Sequence, residues 1–228
     1  MGLALLANAQ DIVPGLIGAF GTAATQPIPS WQDGFSPDLK PYAYDEARGK
    51  QMLTEGGIPP GGTIRMLAVK DRPYLCQWAT AFQSNLKQLG YDAQLDCQES
   101  AVIPAAVTKY DWDLLFWATS GRATAATMYD QRWGVAPTLP EPDDTNTLRD
   151  YDLQGLIDKM IAALDPKEYT DLGAQIAERV VKTDSAVIPG YFQDVYMISG
   201  PRVQGLTVSP LAYYGILYNA MGKVTVTD

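Results

Sequence analysis

The sequence predicts an α/β fold in which helices flank a sheet. Residues 63–69 have strand character, residues 74–89 repeat apolar side chains on one helical face, and residues 91–97 alternate apolar with polar ones. A strand, a helix and a second strand in this order form a βαβ unit, whose strands are parallel and whose crossover is right-handed. Two amphipathic helices at residues 152–164 and 167–182 add helical layers to the same fold.

The segment before the βαβ unit predicts two helices and a loop. Residues 3–20 predict a helix that Pro14 interrupts, followed by a Pro-rich loop in which we expect Trp31 to plug the surface. Asp45 is placed to cap a short helix, because its carboxylate can accept a hydrogen bond from a free amide of the first turn. Gly56 and Gly57 predict the end of that helix.

The segment after the βαβ unit predicts a short helix at residues 101–108 and a fully buried strand, DLLFW, at residues 113–117. Residues 137–150 are rich in Pro, Asp and Thr, which predicts a surface loop. The helices at residues 152–164 and 167–182 are separated by Asp165 and Pro166, so they predict an αα-hairpin.

Composition excludes several function classes. The net charge of −9 and the pI of about 4.5 argue against a nucleic-acid partner, because such binding depends on clustered Lys and Arg. The chain contains no histidine, no Gly-x-Ser-x-Gly motif and no phosphate-binding Gly-rich loop, so we expect neither an enzyme nor a cofactor. Residues 1–13 lack the basic start of a signal peptide, and no apolar run approaches the roughly 20 residues that span a bilayer.

The two cysteines lie where a βαβ unit brings them to the same edge of the sheet. Cys76 is at the start of the predicted helix, and Cys97 is at the end of the second strand. This placement makes a disulfide plausible, and closing a loop of this size stabilises a fold by about 3 kcal/mol. Two buried free thiols are the alternative. We expect no metal site, because two cysteines without a histidine do not supply a tetrahedral ligand set.

Several segments together resemble one family of binding proteins. Residues 36–60 read SPDLKPYAYDEARGKQMLTEGGIPP, residues 110–122 read YDWDLLFWATSGR, and residues 185–206 begin SAVIPGYFQ. With PLAYYGILY at residues 210–218, they resemble the bacterial extracellular solute-binding proteins, family 5, which deliver dipeptides, oligopeptides, nickel chelates and opines to ABC importers. Residues 1–13 are similar to a helix in the middle of that family's chains.

The resemblance implies a periplasmic-binding-protein-like lobe of type II, cluster C, with a mixed sheet flanked by helices and a returning C-terminal segment. Residues 1–185 would form the second lobe of a two-lobed protein. Residues 186–228 would cross the hinge and return into a first lobe, most of which is absent from this chain. We therefore expect that roughly half of a typical member is missing and that Met1 is not the natural start of the protein.

The candidate site lies where the predicted strand 113–117 opens into small polar residues, because α/β sheets bind ligands beyond the carboxyl ends of their strands. In the family, the loop after the corresponding tryptophan contributes ligand contacts. We predict a ligand-binding set from this loop, from the helix after it and from the returning segment: Trp117, Ser120, Gly121, Arg122, Tyr129, Trp133, Tyr191 and Phe192. Packing in the core or at the hinge is the alternative for the aromatic residues.

Arg122 departs from the family pattern, because peptide-binding members carry an acidic residue in this loop to hold an α-ammonium group. A guanidinium would repel an ammonium and favour a carboxylate, phosphate or acyl group through charge-assisted hydrogen bonds. Peptides become less favoured as solutes, although they are not excluded. Alternatively, Arg122 points to solvent or pairs with Asp130.

The resemblance implies a substrate-binding component of an ABC importer that captures a small organic solute: peptide-like, opine-like or another acyl or anionic compound. Its partners would be the solute, the permease subunits and the missing first lobe, with no nucleic acid. It would act in the periplasm or outside the cell, in association with a membrane. The alternative is a sensory or accessory interaction module that has the same fold and takes no part in transport.

Overall fold

A computed structural model describes residues 1–40, 42–107, 109, 111–118, 124–133, 151–183, 187–194, 196, 198–206 and 224–227. Its α-helices are α1 (Gly2–Leu6), α2 (Ala9–Ile17), α3 (Glu46–Glu55), α4 (Pro73–Gln88), α5 (Ile103–Val107), α6 (Ala125–Trp133), α7 (Tyr151–Ala162) and α8 (Pro166–Glu178). Its strands are β1 (Gly21–Ala23), β2 (Thr63–Val69), β3 (Asp92–Gln98), β4 (Leu114–Phe116), β5 (Tyr191–Gln193), β6 (Val203–Gln204) and β7 (Thr225–Val226). The predicted loop at residues 137–150 and the run at residues 210–218 lie outside the described residues.

The first helical segment breaks at a different residue from the one predicted. Asn8 adopts a left-handed conformation, with φ of 47°, and this separates α1 from α2. Pro14 lies inside α2, and the helix continues to Ile17. A proline removes only the hydrogen bond to the residue four positions earlier, so a short helix that is packed on a core can contain one. The predicted cap is confirmed, since the Asp45 carboxylate accepts a hydrogen bond of 2.9 Å from the amide of Arg48.

The predicted βαβ unit is confirmed. Strand β2 pairs in parallel with β3 and also with β4, so that β2 is the central strand in the order β3-β2-β4. Ala68 is opposite Cys97 on one side and Phe116 on the other. The carboxyl ends of all three strands therefore lie at one edge of the sheet, which we call the strand-end edge.

Both faces of this sheet are covered. The alternate β2 residues Ile64, Met66 and Ala68 belong to a first core, which includes the inward face of α4. The buried members of the first core also include Leu6, Val13, Ile17, Trp78, Ala79, Phe82, Leu86 and Ala93. The other β2 residues, Leu67 and Val69, pack in a smaller third core with Leu75 and α5. Because each face has its own cover, β2 is apolar nearly throughout.

Strand β4 is less buried than predicted. Phe116 is buried in the first core, where its ring lies edge-to-face against Trp78 with ring centroids 5.3 Å apart. Leu114 and Leu115 are only half-buried. Their environment follows from the strand order, because among the described residues β4 pairs on one side alone, with β2.

The helical half of the fold has a second core of its own. Helices α7 and α8 form the predicted hairpin, and the Asp165 carboxylate caps α8 by accepting a 2.9 Å hydrogen bond from the amide of Glu168. Buried side chains from α6, α7, α8 and the loop at residues 26–39 meet there: Ile28, Leu39, Tyr129, Leu153, Ile157, Met160, Leu172 and Ile176. The buried Gln26 side chain fixes that loop by exchanging two hydrogen bonds with the backbone of Ser36.

A short antiparallel ribbon joins the beginning of the chain to its returning segment. Strand β1 pairs with β5, with Ala23 opposite Tyr191, and the amide of Ala24 donates a 2.9 Å hydrogen bond to the carbonyl oxygen of Gly190. Gly190 lies directly against the indole ring of Trp78, so any side chain at this position would overlap that ring. The ribbon is thereby packed against the first core.

An ionic cluster holds β2 to the start of β4. The guanidinium of Arg65 donates two hydrogen bonds to the Asp113 carboxylate, of 3.1 and 2.8 Å, and it also bonds Asp111. The Arg65 amide donates to the Asp113 carboxylate at 2.7 Å. These hydrogen bonds, with Arg65 as the main cause, lower the pKa of Asp113 from its ordinary value.

Replacing Asp113 is expected to destabilise the fold. We expect Asp113→Ala to lower the free energy of unfolding by about 1 kcal/mol near neutral pH, since the pair is partly exposed. The folded-state pKa is depressed, so the contribution is present above the ordinary pKa and is lost as the pH falls through the folded-state value. Urea unfolding of both proteins across acidic and neutral pH measures this difference.

Asp111→Ala is the matched control, because the Asp111 side chain contacts the same guanidinium but is 79% exposed. We expect a smaller effect from it. Equal losses for the two variants, or an Asp113→Ala loss that persists below the folded-state pKa, would contradict this account.

Candidate functional site

The strand-end edge is where the structure gathers polar side chains. The loop after β2, residues 70–72, lies between the residues that follow β3 and those that follow β4. Lys70 forms an ion pair with Glu99 at 3.3 Å, and its amide donates a 2.7 Å hydrogen bond to the carbonyl oxygen of Gln98. One loop thus spans all three strand ends.

Successive side chains of this loop reach opposite neighbours. The Asp71 carboxylate accepts hydrogen bonds from both the amide and the hydroxyl of Ser100, beyond β3. The Arg72 guanidinium donates a 3.0 Å hydrogen bond to the carbonyl oxygen of Ala118, beyond β4. The bond from the Ser100 hydroxyl is the main cause that lowers the pKa of Asp71. The Asp71 side chain is therefore a carboxylate at neutral pH.

Arg72 was not among the predicted site residues. It is exposed, and among the described residues its guanidinium has no hydrogen-bond acceptor other than Ala118. It precedes α4, which starts at Pro73 and has no acidic residue in its first turn. The positive end of that helix and the guanidinium both favour an anion at this edge. An arginine directly before a proline, at a junction between strand and helix, is the sequence signal that could have found it.

Trp117 follows β4 at the same edge. Its side chain is half-buried against the third core, and its Nε1 is buried without a hydrogen-bond partner among the described residues. The ring therefore has both a packed face and an accessible part. This placement is compatible with the predicted role as one wall of a ligand site, which stays a prediction.

Tyr129 does not lie at the edge, and the ligand-binding role predicted for it is wrong. Its side chain is fully buried in the second core, where the hydroxyl contacts the carbonyl oxygen of Gly173 at 3.5 Å. Burial raises its pKa well above the ordinary value. A side chain with no exposed surface packs the helices together and cannot contact a solute.

The two aromatic residues of β5 point to opposite sides of the strand. Tyr191 packs against the first core, with its ring edge-to-face to Trp78 at a centroid distance of 6.0 Å, and its burial raises the pKa of its hydroxyl to about 12. This is packing in the core, given above as one of the alternatives for the aromatic residues. Phe192, opposite Thr22, is half-buried and lies on the other face of β5, so its predicted ligand contact remains open.

The rest of the predicted set cannot be placed. Ser120, Gly121 and Arg122 lie outside the described residues, and Trp133 ends α6 with a side chain that is likewise outside them. Of the predicted residues in and next to this loop, only Trp117 is therefore described. Arg72, which was not predicted, lies close to the start of the loop, where it bonds Ala118.

The cysteines lie close to this edge. A disulfide joins Cys76, in the first turn of α4, to Cys97 of β3, with their Cα atoms 6.2 Å apart. Cys76 is four residues after Arg72, and Cys97 is three residues before Ser100. The covalent link thus connects the same two elements that the hydrogen bonds of Asp71 connect.

Two concave features lie away from the strand-end edge. A groove of about 560 Å³ is lined by the loop at residues 36–39, α7 and α8, and a cavity of about 30 Å³ lies between α1 and residues 187–189. Neither includes a predicted ligand residue. Across the described ranges, no group of three His, Cys, Asp or Glu side chains could hold a metal ion. None of the helices in those ranges combines the length and apolar character of a membrane span.

A central parallel strand with polar residues at its carboxyl end, two covered faces and an antiparallel ribbon packed beside them define a fold class. This arrangement is that of a type II periplasmic-binding-protein lobe.

Comparison with known proteins identifies the family. Residues 2–136 match the family model described as bacterial extracellular solute-binding proteins, family 5 Middle. This chain belongs to that family. It is 22% identical over 214 residues to the glutathione-binding protein GsiB of Salmonella paratyphi A, a match that covers 89% of this chain and 40% of the relative.

Solved structures have the same fold. HbpA2 from Haemophilus parasuis superimposes with a TM-score of 0.77 at 22% identity, over 100% of this chain and 44% of that one. DppA from Helicobacter pylori, in complex with the peptide STSA, has a TM-score of 0.72 at 20% identity, over 100% and 44%. This chain therefore spans less than half the length of these similar proteins. The family is described as extracellular and solute-binding, and DppA is described as an ABC transporter-associated periplasmic binding protein.

We predict that the disulfide forms in the purified protein. Thiol titration of the unfolded chain without reductant should find no free thiol, and Cys76→Ala should then release one. Because the cysteines are separated by 21 positions in the sequence, we expect each single cysteine variant to lose about 3 kcal/mol of unfolding free energy. Two reactive thiols in the untreated wild-type chain would refute the prediction. Reduced wild-type protein is the control, since it should be as unstable as the variants.

Proposed function

We propose that this chain is the second lobe of the substrate-binding subunit of an ABC importer, and that it captures a small organic solute with an acidic or acyl group. Residues 1–185 form the lobe, and residues 186–228 cross the hinge and return toward the first lobe. The observation that carries the proposal is the Arg72 guanidinium, held at the strand-end edge by Ala118 and next to Trp117.

Charge selects the solute class. Lys70 is paired with Glu99, and Asp71 is hydrogen-bonded to Ser100, so that Arg72 is the cation of this loop that has no carboxylate hydrogen-bonded to it among the described residues. A guanidinium can donate two parallel hydrogen bonds to a carboxylate and repels an ammonium group. Arg122, four residues after Ala118 in the sequence, is a second cation, in the segment that follows β4. A carboxylate or an electron-rich acyl oxygen is the group that these residues suit.

The similar proteins support this class of solute. One is named as glutathione-binding and another is in complex with a peptide. Both of these ligands carry a carboxylate, so an arginine at this edge would suit them as well. The half-buried ring of Trp117 and the exposed part of Phe192 would provide the apolar contacts that an organic solute also needs.

Capture requires a second lobe. The chain spans 40% of the glutathione-binding relative and 44% of each of the two superimposed structures described above, so one side of the cleft is supplied by residues that this sequence does not contain. Closure of two lobes about a hinge would enclose the solute, and the closed form would report occupancy to the permease subunits. The β1–β5 ribbon, which pairs the early part of the chain with residues 191–193, would serve as that hinge.

An interaction module without a free solute is the second candidate. The observation that favours it is an exposed aromatic pair: Phe20 is 58% exposed, Tyr196 is 61% exposed, and their rings lie edge-to-face at 5.7 Å. Such a pair suits a protein partner. It is also explained by the first lobe, because both residues flank the ribbon that leads out of this lobe. Recovery of a small molecule with the two-lobed protein separates the two candidates.

Replacing Arg72 tests the solute class. The two-lobed protein should be purified gently, and its bound solute identified by native mass spectrometry. We expect Arg72→Ala to weaken binding of a carboxylate solute by about 10-fold or more, because a hydrogen bond to a charged group contributes roughly 1.5–3 kcal/mol. Isothermal titration measures the change. Arg122→Ala should act in the same direction, with a loss on the order of 1–3 kcal/mol.

Arg72→Lys is the matched control, since it keeps the charge and removes the planar pair of donors. We expect its affinity for the solute to lie between those of wild type and Arg72→Ala. The amide form of the solute should bind Arg72→Ala and wild type almost equally. Equal affinity of wild type and Arg72→Ala for the acid form would remove Arg72 from the site.

The separate lobe should bind poorly. We expect the 228-residue chain alone to bind the same solute at least about 100-fold more weakly than the two-lobed protein, because contacts from one side of the cleft are missing and closure cannot occur. Adding the first lobe as a separate polypeptide should restore part of the affinity. Micromolar or tighter binding by the isolated chain would contradict the two-lobed mechanism.

A further inference from the structure

The hydrogen bonds of Asp71 have a consequence for its neighbour. Asp71 and Arg72 are consecutive, and their side chains reach Ser100 beyond β3 and Ala118 beyond β4, on opposite sides of the central strand. Fixing one of these side chains therefore fixes the short backbone segment from which the other extends.

The backbone on both sides of Asp71 is already constrained. The Lys70 amide continues the β2–β3 ladder by donating to Gln98, and the carbonyl oxygen of Arg72 accepts a 2.9 Å hydrogen bond from the amide of Leu75 in α4. Arg72 itself has φ of −118° and ψ of 85°, outside the helical region, as expected for a residue before a proline. Asp71 is the exposed residue between these two anchors, and its carboxylate adds two hydrogen bonds from Ser100.

We propose that the Asp71–Ser100 pair is the positioning element for Arg72, which it holds so that the guanidinium reaches Ala118 and faces an anion at the strand-end edge. The inference rests on the proposed function for the role of Arg72, although the positioning can be measured without a solute. The lowered pKa of Asp71, for which the Ser100 hydroxyl is the main cause, agrees with an ionised acceptor at neutral pH. Asp71 and Ser100 are positioning residues and do not contact the solute.

The experiment uses the 228-residue chain and two NMR readouts on the Arg72 guanidinium, assigned by comparison with Arg72→Lys. The first is the exchange and rotation rate of its N–H groups, which reports the hydrogen bond to Ala118. The second is its chemical shift during titration with acetate, with acetamide as the neutral comparison. Acetate serves as the probe because it carries the carboxylate alone.

The variants form a graded set. Asp71→Ala removes both hydrogen bonds, Ser100→Ala removes the bond from the hydroxyl, and Ser100→Thr retains it. We expect about 3- to 10-fold weaker acetate binding and faster guanidinium exchange in Asp71→Ala, a smaller change in Ser100→Ala, and values near wild type in Ser100→Thr, since one neutral or charged hydrogen bond is worth about that factor. Lys70→Ala is the control, because it breaks the exposed Lys70–Glu99 ion pair of the same loop and leaves the side-chain hydrogen bonds of Asp71 and Arg72 unchanged.

Each outcome decides one claim. Wild-type rates and acetate affinity in Asp71→Ala and Ser100→Ala would overturn the positioning role. A Lys70→Ala effect as large as that of Asp71→Ala would also overturn it, because any loosening of the loop would then suffice. In a third outcome, the chemical shift of the wild-type Arg72 guanidinium would not change with acetate, while Asp71→Ala would still make its N–H groups exchange faster. The positioning role would then stand, and the proposed solute class would fail. Ser100→Ala provides the answer if Asp71→Ala does not fold.

Discussion

The parallel pairing of β2 with both β3 and β4 is the constraint on which the candidate site depends. A central strand in a parallel sheet has a neighbour on each side, and the loop that leaves its carboxyl end passes between the ends of both neighbours. This is why three consecutive residues, 70–72, can pair with Glu99, bond Ser100 and bond Ala118. An antiparallel neighbour would place its amino end there, and the same side chains would find no such partners.

Trp78 connects this sheet to the β1–β5 ribbon. Its ring contacts Phe116, the last residue of β4, and also Gly190 and Tyr191 of the returning chain. The helix that carries it begins at Pro73, directly after Arg72. The ribbon and the sheet therefore share one close-packed core, in which the Trp78 ring contacts both.

The second core contains Tyr129, an aromatic residue that the sequence suggested for the ligand site. Tyr129 comes soon after the predicted ligand loop in the sequence, yet α6 turns it into the space between α7 and α8. Its neighbour in that core, Met160, lies close to Gly34, and Gly34 in turn contacts Gly173 of α8. The helical half is thus joined to the loop at residues 26–39 by close backbone contacts.

Local chemistry in the sequence determined the elements themselves. The capped helix at Asp45, the βαβ unit and the hairpin of α7 and α8 follow from spacing, capping and apolar periodicity, which act over a few residues. The family was indicated separately, by the resemblance of whole sequence segments, and the family model confirms it. The break at Asn8, in place of Pro14, was missed because packing on the first core decides which local weakness bends a helix. Only the tertiary structure showed that Tyr129 is buried and that Arg72 lies beside Ala118, 46 residues later in the chain. The first fact depends on how α6 packs with α7 and α8, and the second depends on which strand ends are neighbours in the sheet. No local pattern encodes such distant contacts.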